Sequence, residues 1–209
     1  MLPKTQLGWW IKGSIEPILG HAAVYDTLNH VTEPVHLINV RDQIGIARGG
    51  RFKPLEDESS KSEINRDRFP WIASVPGLPP ARLGSSEFMQ AYGLDYPYVM
   101  GAMANGITSV EMVEEAGRSG MIGFFGAAGL LPAEIEAAID SLQDRMRSRS
   151  FGTNLIHSPA DPELEAATVD LYIRRGIRLI SASAYLDLTL PLVYYRVNGI
   201  HRNHKGDVI

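Results

Sequence analysis

The chain has no cysteine, so neither a disulfide framework nor a thiolate nucleophile is available to it. Positive charge is not in excess either. Twenty Lys and Arg stand against 24 Asp and Glu, a formal charge of -4, which excludes a strongly basic nucleic-acid surface and speaks against polyanionic partners. Long apolar runs are missing: no uncharged stretch exceeds Ser119 to Ala133, which glycine and proline break and which is too short to cross a bilayer. Met1 to Gln6 lacks the basic-then-apolar pattern of a signal peptide, so a cytoplasmic protein without membrane partners is expected. No Gly-x-Gly-x-x-Gly follows any apolar segment, which makes a dinucleotide-binding doubly wound sheet the weaker choice.

What is present is a repeated pattern. With 44% hydrophobic and 21% charged residues the composition is that of a chain with a packed interior. Four strand-then-helix units succeed one another from Tyr96 to about Val197. Pro97 to Met100 leads to a helix beginning near Thr108, where Thr108 and Glu111 have the spacing of a capping box and Gly117 and Gly120 close the element. Met121 to Phe125 passes through Gly126-Ala127-Ala128-Gly129 to a helix with Pro132 in its first turn and Ile135, Ala138, Ile139, Leu142 and Met146 on one face. Phe151 to Ile156 is followed by Asp161-Pro162, an N-cap with proline at the first helical position, and by a stripe of Leu164, Ala167, Leu171 and Tyr172, with Gly176 at the end. Ile177 to Ala182 precedes Ser183 to Leu188 and a helix over Leu190 to Val197, where Pro191 is tolerated near the start.

Strand starts at 97, 121, 151 and 178, about 25 to 30 residues apart, suit right-handed βα crossovers. They predict an α/β fold, the N-terminal half (about four βα units) of a TIM-type (β/α)8 barrel. An eight-unit barrel takes about 250 residues and about 113 remain from Pro97 onward, so a truncated, split or cleaved chain is expected, with open edges that favour homo-oligomers.

Residues 1–93 read as a small α+β lead-in and 94–209 as the barrel half. In the lead-in, Ile18 to His30 reads as a helix, and Pro34 to Val40 and Gln43 to Ala47 as strands joined around Arg41-Asp42. Arg51 to Asp67 reads as a polar surface loop, and Phe69-Pro70-Trp71 with Val75 to Pro80 as an extended proline-rigid connector. Trp9-Trp10 reads as an apolar anchor.

The strand at Tyr96 to Met100 runs into Gly101, Ala102 and Met103, small enough at first to leave main chain bare for a flat ring, although a tight turn alone would also need glycine. Leu7-Gly8-Trp9-Trp10, Glu33-Pro34-Val35-His36, Ile44-Gly45-Ile46-Ala47 and Leu83-Gly84-Ser85-Ser86-Glu87-Phe88 resemble the lead-in of trans-acting enoyl reductases, the PfaD family, which serve polyunsaturated fatty acid and polyketide synthases. The resemblance continues through Gly123 to Gly129, Phe151-Gly152-Thr153-Asn154-Leu155 and Ser181-Ala182-Ser183-Ala184-Tyr185, and so covers nearly the whole chain. The barrel is similar to that of nitronate monooxygenases, the 2-nitropropane dioxygenase-like flavoproteins.

The resemblance implies FMN-dependent, NADPH-driven reduction of the 2,3-double bond of an enoyl thioester on an acyl carrier protein. It implies that Gly101, Ala102 and Met103 back the flavin, that Asn154 contacts it, and that Ser183 and Tyr185 bond the ring or the substrate. Asn154 can instead satisfy its own turn, and Tyr185 can pack with its hydroxyl at the surface. His157 is a candidate proton donor or else a solvated loop histidine. No catalytic residue is assigned. His201 and His204 lack a third ligand of suitable spacing, so no metal is expected. The loops after strands seven and eight that generally hold the phosphate of a barrel-bound flavin, and the catalytic histidine that the similar monooxygenases carry in a later glycine-rich segment, have no counterpart here, so a complementary C-terminal half is an expected partner. A nitronate-oxidising flavoprotein and a non-catalytic docking module are the competing readings.

Overall fold

The computed structural model describes residues 6–55 and 67–208, which form two compact units, up to Leu83 and from Gly84.

The first unit is an antiparallel six-stranded sheet. Its elements are β1 (Gly8–Ile11), β2 (Ile18–Leu19), α1 (Gly20–Asn29), β3 (Val35–Val40), β4 (Gln43–Ala47), β5 (Arg51–Pro54) and β6 (Arg68–Val75), with strand order β2-β4-β3-β6-β1-β5. Arg41 and Asp42, at φ 50 and 65, make the two-residue turn between β3 and β4, where both central residues need left-handed backbone. Trp10 is fully buried against Ile38 and Ala47 and donates its indole N–H to the Gly49 carbonyl at 2.7 Å, so it does anchor this unit.

Three expectations for the lead-in are corrected. Ile18 and Leu19 pair with β4 as a short strand, and the helix starts only at Gly20. Arg51 to Pro54 is not loop but an edge strand paired with β1; of the remainder of the expected loop, Leu55 and Asp67 are turn and 56–66 lie outside the described residues. Phe69 to Val75 is not a connector but part of the strand between β1 and β3. Proline is accommodated there because pairing with β3 ends at Trp71, one residue short of Pro70, so the missing N–H breaks no bond on that side.

The first unit closes on a 3-10 turn (Pro80–Arg82), and the second begins with α2 (Ser86–Tyr92), capped by Ser85 and closed by left-handed Gly93. Four parallel strands follow in spatial order β10-β9-β8-β7, each leading to a helix: β7 (Val99–Met100), α3 (Val110–Arg118), β8 (Ile122–Phe125), α4 (Pro132–Met146), β9 (Gly152–Ile156), α5 (Pro162–Arg174), β10 (Ile180–Ser183) and α6 (Leu190–Val197). This is an α/β fold with a parallel sheet of half-barrel type, and β7 and β10 are its edges among the described residues.

The core lies between sheet and helices. Val113, Phe125, Ile135, Ile139, Leu142, Met146, Leu155, Val169, Leu171 and Tyr172 are buried together there. On α4 the expected face is the buried one. On α5 it is rotated: Ala167 is exposed, and Glu165, Thr168, Val169, Leu171 and Tyr172 are buried.

Candidate functional site

The C-terminal ends of parallel strands carry loops whose peptide groups are free of ladder bonds, and it is there that this unit concentrates unusual contacts. The loop after β7 and the loop after β8 are laced by main chain. Gly106 N–H donates to Gly126 O at 2.8 Å, Asn105 N–H to Ala128 O at 2.7 Å, and Gly126 N–H to Thr108 O at 3.0 Å. Gly126 is required by this approach, since a Cβ on it would lie 1.7 Å from Met103 O.

Thr108 does not cap α3. It is fully buried, its hydroxyl donating to Gly101 O at 3.0 Å and accepting from Met103 N–H at 2.8 Å. Ser109 is the cap, accepting from Met112 N–H at 3.3 Å, and the Glu111 carboxylate accepts from the Ser109 hydroxyl. The spacing misled by one residue because both side chains can cap and only Thr108 has loop groups to satisfy. Its effect is to fix the shape of Gly101 to Met103. Gly101 itself is exposed, and a Cβ placed on it would meet nothing within 4 Å. Its smallness is therefore not demanded by the protein's own packing.

Asn154, 5% exposed on β9, is a brace across three strand ends. Its Oδ1 accepts from Ala128 N–H at 3.0 Å, and its Nδ2 donates to Ser183 Oγ at 2.9 Å and Ser181 O at 3.3 Å. The side chain does not satisfy its own turn. The structure thus joins Asn154 to Ser183 directly, while Gly101 to Met103, after β7, are tied to Thr108 and through the laced loops to Ala128.

Tyr185 does not leave its hydroxyl at the surface. It donates to Glu165 Oε1 at 3.1 Å, and burial together with that carboxylate pushes the phenol above its ordinary pKa, so it remains a donor. Glu165, 3% exposed, also accepts from Thr189 Oγ1 at 2.5 Å, His157 Nδ1 at 2.9 Å and Ser158 N–H at 3.2 Å. Burial alone would raise its pKa; the four donors outweigh that and hold it below the usual carboxylate range. His157 is therefore no solvated loop residue. Glu165 and Thr189 were not singled out in the sequence, yet a carboxylate three, four and seven residues before Thr168, Val169 and Tyr172 lies on one helical face, and that was the available signal.

Beside this carboxylate, a cavity of about 220 Å3 opens among Ala127, Leu130, Ile135, Leu155, Leu164 and Glu165. Among the described residues no group of three or more His, Asp or Glu is arranged to hold a metal, and no helix is long and apolar enough to cross a membrane.

A parallel βα unit with its polar constellations and bare backbone gathered at one strand-end face has the layout of a barrel enzyme. The comparisons narrow this. No protein-family model matches the chain. It is 43% identical over 134 residues to the polyketide biosynthesis protein PksE of Bacillus subtilis, covering 64% of this chain and 18% of that protein. It is 41% identical over 126 residues to a polyunsaturated fatty acid synthase polypeptide of Thraustochytrium sp., covering 60% of this chain and 8% of that protein. A solved structure, the enoyl reductase domain of MlnA from the macrolactin biosynthesis cluster of Bacillus amyloliquefaciens, aligns with a TM-score of 0.57 and 41% identity over 63% of this chain and 30% of that chain. Over somewhat under two thirds of its length the chain is thus related to PfaD-type enoyl reductases, and it spans less than a fifth of these curated relatives.

Proposed function

We propose that the chain is the N-terminal portion of a trans-acting enoyl reductase that uses FMN and NADPH to saturate the 2,3-double bond of enoyl thioesters on an acyl carrier protein, in polyketide or polyunsaturated fatty acid biosynthesis in the cytoplasm. The observation that carries this reading is the likeness to the MlnA enoyl reductase domain in both sequence and fold, 41% identity with a TM-score of 0.57. In this reading 1–93 is the lead-in and 94–209 the first half of the barrel.

The residues present fit a flat cofactor. The open space in front of Gly101, with exposed main chain held in shape by Thr108, suits a ring that needs close backbone approach. Gly101, Ala102 and Met103 would back it, and Ser183 would offer a hydroxyl to its edge. Asn154 and Tyr185 would act from behind, Asn154 by fixing Ser183 and Tyr185 by fixing the loop after β10. The flavin supplies hydride chemistry when bound. The chain's own residues hold, orient and shield, and donors near the thioester carbonyl would stabilise the charge that develops there.

Since the chain covers 30% of the related domain, we infer that tight cofactor binding and turnover need a complementary C-terminal segment supplying the remaining barrel strands. The test is to purify the chain alone and with a C-terminal segment from a related enzyme, record flavin absorption, and assay enoyl-carrier thioester reduction beside nitronate oxidation. Bound FMN with enoyl reduction supports the reading; nitronate oxidation alone, or no flavin in either sample, defeats it.

A further inference from the structure

One constellation on the strand-end face is left unused by this reading. The Glu165 carboxylate, an acceptor only when ionised, takes hydrogen bonds from four donors on three segments: His157 and Ser158 after β9, Tyr185 after β10, and Thr189 at the start of α6. Two of these are hydroxyls and one is a main-chain N–H. The fourth must also donate, which assigns the proton to His157 Nδ1 and leaves Nε2 as the exchangeable ring nitrogen.

The ring is restrained on further sides. It lies against Tyr185 with centroids 5.3 Å apart, and the His157 main-chain N–H donates to Ser183 O at 3.0 Å. The side chain is 28% exposed, and no group among the described residues bonds Nε2. A carboxylate-oriented imidazole whose second nitrogen has no bonded partner among the described residues, tied through its backbone to Ser183, has the arrangement that a general acid needs.

We propose that His157 delivers the proton to the α-carbon of the enoyl substrate and that Glu165 is the residue that positions it; this rests on the reductase reading. A flavin held at the site would supply hydride to the β-carbon when bound, which would leave the π pair on the α-carbon and thioester carbonyl. The α-carbon then bonds to the proton released by Nε2. The doubly protonated ring thereby becomes neutral with Nδ1–H still on Glu165, and a proton taken up from solvent restores Nε2–H.

The test uses the full chain with the complementary segment, comparing wild type, His157→Gln, His157→Ala and Glu165→Gln. His157→Gln is expected to slow enoyl reduction about 100-fold or more while NADPH-driven bleaching of the flavin stays within about twofold, as loss of a general acid predicts. Added imidazole should restore part of the rate to His157→Ala, a rescue that a purely structural role would not show. Nitrogen-15 NMR of the chain alone should find neutral His157 as the Nδ1–H tautomer, and Glu165→Gln should weaken that preference. Wild-type enoyl reduction by His157→Gln, absence of rescue, or an Nε2–H tautomer overturns the proposal while leaving the reductase reading intact. A wild-type sample that bleaches no flavin and reduces no enoyl thioester overturns both.

Discussion

Two glycines on the strand-end face make opposite predictions. Gly126 has no room for a side chain, since its Cβ would meet Met103 O at 1.7 Å, so Gly126→Ala should cost about 3 kcal/mol or more, read as a lower urea midpoint. Gly101 faces open space at ordinary φ, so Gly101→Ala should leave stability within about 0.5 kcal/mol yet weaken FMN binding measured by fluorescence quenching. Equal flavin affinity in Gly101→Ala would remove this segment from the cofactor site. Glu165 adds a pH signature. Its folded pKa lies below the ordinary carboxylate value of about 4.3, so its stabilisation is complete above that value and is lost as pH falls through the folded pKa. The midpoint gap between wild type and Glu165→Gln should therefore be widest near neutrality and shrink in strong acid. The sequence marked Gly101 as a small residue after a strand and left a helical-face signal at Glu165, but it did not distinguish Gly101 from Gly126 or name the partners of Glu165. A glycine after a strand looks the same whether it yields space to its own chain or to a ligand, and the partners of Glu165 come from segments up to 24 residues away.

The βα elements were the readable part, because each carries its own punctuation. Asp161 accepts from Leu164 N–H and Pro162 opens α5 as its spacing indicates, and α6 spans Leu190–Val197 as expected. Helix α3 shows where local rules stop deciding: Thr108 and Ser109 are equally suited to cap, and the loop after β7 claims Thr108. Ser109→Ala should thus cost about 1 kcal/mol, as for an ordinary cap, whereas Thr108→Val should cost more, because it strands Met103 N–H and leaves Gly101 O without its partner. Equal losses in chemical denaturation would contradict that division of labour. The lead-in was read least well for a physical reason. β5 and β6 are strands because β1 lies between them, and long-range pairing leaves little trace in a four-residue polar segment or in one containing proline.

At the scale of the whole molecule, β7 and β10 are the outer strands of the parallel sheet among the described residues, and Leu186, Leu188 and Leu190 beyond β10 are 101%, 75% and 82% exposed. Exposed apolar side chains following an outer strand favour association. The chain should sediment as more than a monomer at micromolar concentration, and Leu186→Lys with Leu190→Lys should shift it toward monomer without lowering the melting temperature by more than a few degrees. A monomeric wild type would contradict the expected homo-oligomer. The lacing of the loops after β7 and β8 has a separate consequence. Because its bonds are chiefly main chain to main chain, the order of that surface is paid for when the protein folds, and a ligand settling on it gives up little conformational freedom of the host. Encounter there should be governed by diffusion and desolvation, with an arrival rate insensitive to most side-chain changes in the loops and sensitive to any change that unpicks Gly126.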